Sequence, residues 1–387
     1  MSSIASELEE LRTRALYRRL REFESSAGVE MTWEGKRLTS FASNDYLGLA
    51  NDPVLREAAK AAIDRYGVGA GASRLICGTL PPHAALEAKL AEFKRTEAAL
   101  TFSSGYAASV GALGALCGRE DVIILDKLSH ASLIDGAKLS GAVVRVFPHN
   151  HLGKLESHLR WAREHYPQAR IVVVTESVFS MDGDWCPLPE IVALKERFDA
   201  LLLLDEAHAV GVIGDHGRGL ADHLGLAGRV DVQMGTLSKA LGCSGGYLCG
   251  SRALIELLIN RSRSFIYSTA PSPAIAATAQ TALEFLLSTA GELRRQRLRA
   301  NLIRFSDALP QLFADGRKVQ SAIVPVVVGA AEAALAAAQA LLDRGLFVPA
   351  IRYPTVPRDA ARLRVTLSAR HTPEQIAALC AALGALR

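Results

Sequence analysis

The sequence predicts an α/β fold: a mainly parallel sheet covered on both faces by helices, followed by a smaller C-terminal α+β domain. Three observations carry this. Continuous apolar runs at 121–126, 143–147, 171–176 and 200–205 alternate with stretches of helical periodicity, the pattern of parallel strands buried on both faces. Polar residues recur just past the ends of these runs (Asp126, Ser129 and His130; Glu176 and Ser180; Asp205 and His208; Thr236, Ser238 and Lys239), at the edge where open α/β sheets bind ligands. Beyond about Thr289 the pattern changes to one long charged helix, then short apolar runs with two further helices.

Leucines at helical spacing (Leu8, Leu11, Leu16, Leu20) predict a helix over about 3–23, and the arginines between them form its polar face. A hairpin over 32–41 turns at Gly35. The polar and aromatic segment 43–48 is a loop directed at the cleft, with Asn44 in it. Helices are predicted over 53–66 and 80–94. Between them, Gly67, Gly69 and Ala72 formally match a dinucleotide fingerprint, but the match follows a helix where a strand is required. The segment reads instead as a flexible loop that brings Arg74 to a ligand or a partner subunit.

A strand at 98–102 runs into Ser104-Gly105-Tyr106 and a helix of small residues to about Cys117. Free backbone N–H groups, hydroxyls and the positive helix end make this turn a candidate phosphate seat, with a plain serine cap as the alternative. In the C-terminal part, strands are expected at 322–328, 347–351 and 363–367, with helices over 291–313, 331–344 and 373–386. Arg364 lies inside an apolar strand, where a charge needs a partner; an internal carboxylate or a substrate carboxylate would serve. The divisions are 1–50 as an N-terminal helix and arm, 51–289 as the large domain and 290–387 as the small one.

With 44 Lys and Arg against 40 Asp and Glu, the charge of +4 gives no case for nucleic acid. The six cysteines, at 77, 117, 186, 243, 249 and 380, have no zinc spacing and suggest reduced thiols in a cytoplasmic protein without a metal site. No apolar run approaches the roughly 18 residues of a membrane span.

Lys239 stands between a strand end and a glycine-rich turn, where a desolvated amine can form a Schiff base with an aldehyde. An aldehyde cofactor with a phosphate and a pyridine ring would need a phosphate seat (Ser104, Gly105, Tyr106, Thr236), a carboxylate for the ring nitrogen (Asp205), donors for the phenolic oxygen (His208, Ser180) and a stacking group (His130). Each histidine taken singly could equally be a capping or core residue. The serine-hydrolase elbow formally present at 242–246 is set aside, because a strand follows it where a helix is required. The glycines there are expected to leave room for a swinging lysine.

Taken together, DEAHAVGVIGDHGRG, T-x-S-K, SNDYLGL, SSGYAAS, LSHASLIDG and TESVFSMDGD resemble the α-oxoamine synthases, over about residues 40–372 and in order. The resemblance implies pyridoxal 5'-phosphate as cofactor and the fold-type I architecture, with a mainly parallel seven-stranded-type sheet in the large domain. It implies a homodimer with sites at the subunit interface. AIRYPTVPRDAARLRVTLSARHT is most similar to the member that condenses L-alanine with a pimeloyl thioester, on coenzyme A or an acyl carrier protein, in biotin biosynthesis. The alternative is a glycine-using member. By this resemblance Lys239 would carry the cofactor and move the Cα proton, and Asp205 would pair with the pyridinium. His208 and Ser180 would meet the phenolic oxygen, His130 would stack on the ring, and Thr236 would hold phosphate. Arg364 would hold the amino-acid carboxylate, with Arg18, Asn44, Arg74 and Thr355 at the substrate.

Overall fold

The apolar runs become the centre of one sheet. In the computed structural model, which describes residues 3–14, 16–313 and 319–386, the strands β1 (Glu30–Trp33) and β2 (Lys36–Ser40) precede β3 (Ala98–Phe102), β4 (Val122–Asp126), β5 (Val143–Phe147), β6 (Ile171–Glu176), β7 (Leu201–Asp205), β8 (Val232–Thr236) and β9 (Gly246–Gly250). The chain then forms β10 (Ile323–Gly329), β11 (Leu346–Phe347), β12 (Ala350–Ile351) and β13 (Ala361–Thr366). Seven strands order as β3-β9-β8-β7-β6-β4-β5, with β5, β4, β6, β7 and β8 mutually parallel and β9 antiparallel to both its neighbours. This is the α/β, fold-type I architecture that the sequence predicts.

Alternation along the strands feeds two cores. Val122 and Ile124 of β4 join one apolar cluster, and Ile123 and Leu125 join the other, on the opposite face. The small-residue helix Gly105–Leu116 covers the second face and packs closely on helix Ala131–Ser140. Gly136 permits this approach, since a Cβ there would lie 3.1 Å from the Ser109 carbonyl oxygen.

The hairpin turns at Glu34-Gly35, with φ of 49° and 70°, a left-handed pair that suits a two-residue connection. Two expectations change. The N-terminal helix is shorter than predicted: it spans Ile4–Thr13, none of its residues is buried, and residues 17–21 have no regular secondary structure. Its leucines find no core to bury them, so amphipathic spacing alone does not extend it. The single strand expected at 347–351 divides at Val348-Pro349. Leu346–Phe347 pairs with β2, and Ala350–Ile351 with β13. The N-terminal hairpin is thereby hydrogen bonded to the C-terminal part of the chain.

Candidate active site

Strand register brings the acidic residues together. Glu176 and Asp205 are direct partners on β6 and β7, and both are buried at the C-terminal edge. Asp205 accepts a hydrogen bond from the Ala207 N–H at 2.8 Å and has no cationic side chain in ion-pair contact among the described residues. Burial raises the pKa of both acids, that of Glu176 strongly and further through the charge of Asp205; Lys239 pulls both back down.

Lys239 follows β8. Its Nζ lies 2.9 Å from His208 Nε2. Burial pushes its pKa down to about 8, against the attraction of Asp205 and Glu176. A useful fraction of the amine is therefore neutral near pH 8, as a Schiff-base lysine requires. The sign of the linkage is fixed: the folded pKa lies below the unfolded one, so protonation of the buried amine costs stability fully below about pH 8, and the cost disappears as pH rises to the ordinary lysine value of 10.5. In the cofactor-free chain, Lys239→Ala is thus expected to be more stable than wild type at pH 7. The difference should shrink between pH 8 and 10.5, which urea midpoints across that range would measure.

His208 is buried, and burial together with Lys239 keeps it neutral. Its Nδ1 lies 2.6 Å from the hydroxyl of Tyr46, and that hydroxyl donates to Asn44 Oδ1 at 3.2 Å. Asn44 Oδ1 also accepts from Arg364 Nη2 at 3.2 Å. A continuous polar line therefore runs from Lys239 through His208, Tyr46 and Asn44 to Arg364. Arg364 is buried, donates through Nε to the Ser180 carbonyl at 2.6 Å, and has no carboxylate in ion-pair reach among the described residues. Its charge is left for an incoming anion.

Across the cleft, Ser104 caps helix Gly105–Leu116 through the Ala107 N–H at 3.0 Å. Gly105 lies against the end of β8: a Cβ there would meet Met234 Cε at 3.3 Å and Thr236 Oγ1 at 3.6 Å. Thr236 Oγ1 bonds Ser238 Oγ at 2.6 Å, and Ser238 is exposed. Helix N–H groups and hydroxyls thus converge on one spot. The Tyr106 hydroxyl is donated to Asp135 at 2.6 Å. His130 begins helix Ala131–Ser140, accepts at Nδ1 from Ser132, and donates its backbone N–H to Glu176. His130 is exposed as a residue, yet burial of its ring lowers its pKa, and the charges of Asp205 and Lys239 both act on it.

These groups fit pyridoxal phosphate. A buried carboxylate without a cation matches a protonated pyridine nitrogen, and a helix N-terminus flanked by hydroxyls matches a phosphate. The glycines after Lys239 have another role than predicted. A Cβ at Gly242 would lie 2.5 Å from Ala50 N, and one at Gly246 would lie 2.5 Å from the Ser104 carbonyl oxygen. They let the turn pack tightly against the SNDYLGL loop and the phosphate seat.

Arg74 corrects an expectation. Its guanidinium is buried and bidentate on Glu87 at 2.8 and 2.9 Å, with Thr101 at 3.1 Å, so it fastens helix Pro81–Lys94 to β3 instead of reaching a ligand. Arg18 and Thr355 are exposed and make no hydrogen bond to the Lys239 cluster. Arg18 lines a groove of about 1370 Å³ with Arg352, whose carbonyl accepts from the Thr355 N–H at 3.1 Å. Tyr46 and Glu176 were not assigned roles from sequence. Their signals, a tyrosine in the cleft-directed loop and an acid at a strand end, were present but have many structural uses.

The fold and site define a class: the chain belongs to the aminotransferase class I and II family, whose model matches residues 36–383. Within that family its curated relatives include 8-amino-7-oxononanoate synthases. The one from Geobacter sulfurreducens is 48% identical over 98% of this chain and 97% of its own length. Among solved structures, a serine palmitoyltransferase from S. paucimobilis with bound PLP–myriocin aligns with TM-score 0.91 and 32% identity, over 99% of this chain and 96% of that one. An 8-amino-7-oxononanoate synthase from Francisella tularensis aligns with TM-score 0.74 and 29% identity, over 90% and 96%.

Proposed function

We propose that this chain condenses L-alanine with a pimeloyl thioester, on coenzyme A or an acyl carrier protein, to give 8-amino-7-oxononanoate, carbon dioxide and the free thiol, with pyridoxal phosphate as cofactor. The observation that carries the chemistry is the polar line from Lys239 to Arg364, which sets a titratable amine and an unpaired arginine on one cleft. The 48% identity to a full-length synthase selects the substrates.

Bound pyridoxal phosphate supplies an electron sink for negative charge at the amino-acid Cα. Ser104, Gly105, Thr236 and Ser238 would hold its phosphate, Asp205 its ring nitrogen, and His130 a ring face; His208 and Ser180 would meet its phenolic oxygen. Arg364 fixes the alanine carboxylate. Lys239 takes the Cα proton at Nζ, which is feasible because its pKa of about 8 lets it act as a base near neutrality. His208, held by Tyr46, orients that nitrogen. Arg18, which lines the Arg352 groove, and Thr355 would meet the acyl substrate.

A homodimer is part of this reading. Exposed Val68, Ile76 and Tyr267, on segments tied by the Ser73–Thr269 bridge, support cover by a second copy. The six free cysteines support a cytoplasmic setting.

The test offers alanine or glycine with pimeloyl, acetyl and succinyl thioesters and follows thiol release. Alanine with the pimeloyl thioester should give the highest kcat/KM; a preference for glycine with a short acyl group would overturn the assignment. In the same assay Arg364→Ala should raise the KM for alanine by about 30-fold or more, the cost of removing one half of a buried charge pair.

A further inference from the structure

The turn after β6 carries more than Ser180. It closes on itself through the Phe179 N–H to the Asp184 carbonyl at 3.1 Å and the Gly183 N–H to the Phe179 carbonyl at 2.8 Å. Its outer side is fastened to β13 and to the segment leading into β10. Arg364 donates to the Ser180 carbonyl at 2.6 Å, Arg362 pairs with Asp182 at 2.6 Å, and the Ser321 hydroxyl donates to the Gly183 carbonyl at 2.8 Å. Gly183 has φ +73°, and a Cβ there would lie 2.2 Å from the Ile323 carbonyl oxygen, so the turn sits directly on that segment.

The inner side of the turn is held by His149, from the loop after β5. Its Nε2 lies 2.8 Å from Asp184 Oδ2 and its Nδ1 3.1 Å from Asp126 Oδ1, while its ring stands edge-on to Phe179 at 4.3 Å. Asp126 is fully buried and is itself fixed by the N–H groups of Leu128 and Asn150, each at 2.8 Å. Asn150 adds hydrogen bonds at 3.2 Å to Asp184 and to the Trp185 carbonyl. The two carboxylates lift the His149 pKa to about 10, although burial alone would lower it, so the ring is a fixed cation at working pH.

We infer that His149 is a positioning residue for amino-acid binding: clamped between Asp126 and Asp184, it holds the turn whose Ser180 carbonyl and Asp182 carboxylate aim Arg364 and brace Arg362 beside it. The inference rests on the reading of Arg364 as the carboxylate-binding group. Arg364 has no carboxylate of its own, so its direction depends on neutral acceptors, and the Ser180 carbonyl is the shorter of the two, 2.6 Å against 3.2 Å for Asn44. A guanidinium must be held to within about 0.5 Å to receive a carboxylate bidentately. Loosening the turn should therefore weaken alanine binding before it touches the chemistry at Lys239.

The experiment titrates L-alanine into the pyridoxal-phosphate-loaded wild type, His149→Gln and Asp184→Asn, following the change in cofactor absorbance, with thioester KM, kcat and Tm measured alongside. In His149→Gln the alanine Kd should rise about tenfold while kcat at saturating alanine and the thioester KM stay within about threefold. Asp184→Asn, which keeps an acceptor and removes one charge, should show the same split at smaller size and serves if the histidine variant does not fold. A lower Tm with an unchanged alanine Kd overturns the inference, as does an equal rise in alanine Kd and thioester KM. No alanine-induced change in the wild type would overturn the functional reading itself.

Discussion

Lys239→Ala is expected to lower kcat for thiol release by at least about 10³-fold, because it removes both the covalent attachment of the cofactor and the proton carrier at Cα. The attachment lies in the position of Nζ, 2.9 Å from His208 and drawn towards Asp205 and Glu176. The buried lysines near this sheet are already engaged: Lys94 is ion-paired with Glu206, and Lys195 with Asp231 at 2.9 Å. The loss should fall on kcat more than on the thioester KM, since Lys239 does not contact the Arg18–Arg352 groove. Borohydride reduction followed by mass measurement checks the attachment directly. An adduct that persists in Lys239→Ala would show that another amine carries the cofactor.

The fold was legible because parallel strands buried on both faces leave a one-dimensional signature, and the runs that became β4, β6 and β7 are apolar until their last one or two residues, whereas β5, the edge strand, carries exposed Arg145 and is only partly buried. Much of the candidate site was legible for the same reason: a strand end fixes which residues share an edge, so Asp205, Thr236 and Lys239 could be grouped before any geometry was known. What escaped was contact between segments far apart in the chain. Tyr46 meets His208 across 162 positions, and no local pattern encodes that pairing. Arg74 erred for the converse reason. A charged residue in a glycine-rich loop looks free, and only the fold shows Glu87 waiting beneath it. The glycines at 242 and 246 were read as space, whereas their missing side chains are filled by neighbouring backbone. Local helix periodicity likewise could not reveal that the leucines after Thr13 have no core to meet.

Asp205→Asn should separate stability from function with opposite signs. The substitution keeps the shape of the side chain and an acceptor for the Ala207 N–H, and removes only the charge. In the cofactor-free chain that charge is a liability: burial raises the Asp205 pKa, so folding disfavours the ionised form, and the penalty is present wherever pH exceeds the folded value. The asparagine variant should accordingly match or exceed the wild type in Tm at pH 7 without cofactor. With cofactor the same charge has a partner. A ring cation and a carboxylate at about 4 Å in an effective dielectric near 20 attract by roughly 4 kcal/mol, and losing that attraction should lower kcat by about 10² to 10³-fold. Alanine binding should change less, because Arg364 is untouched. If kcat stays within about tenfold of wild type, Asp205 is not the group that keeps the ring protonated, and the buried acid beside it, Glu176, becomes the residue to replace next.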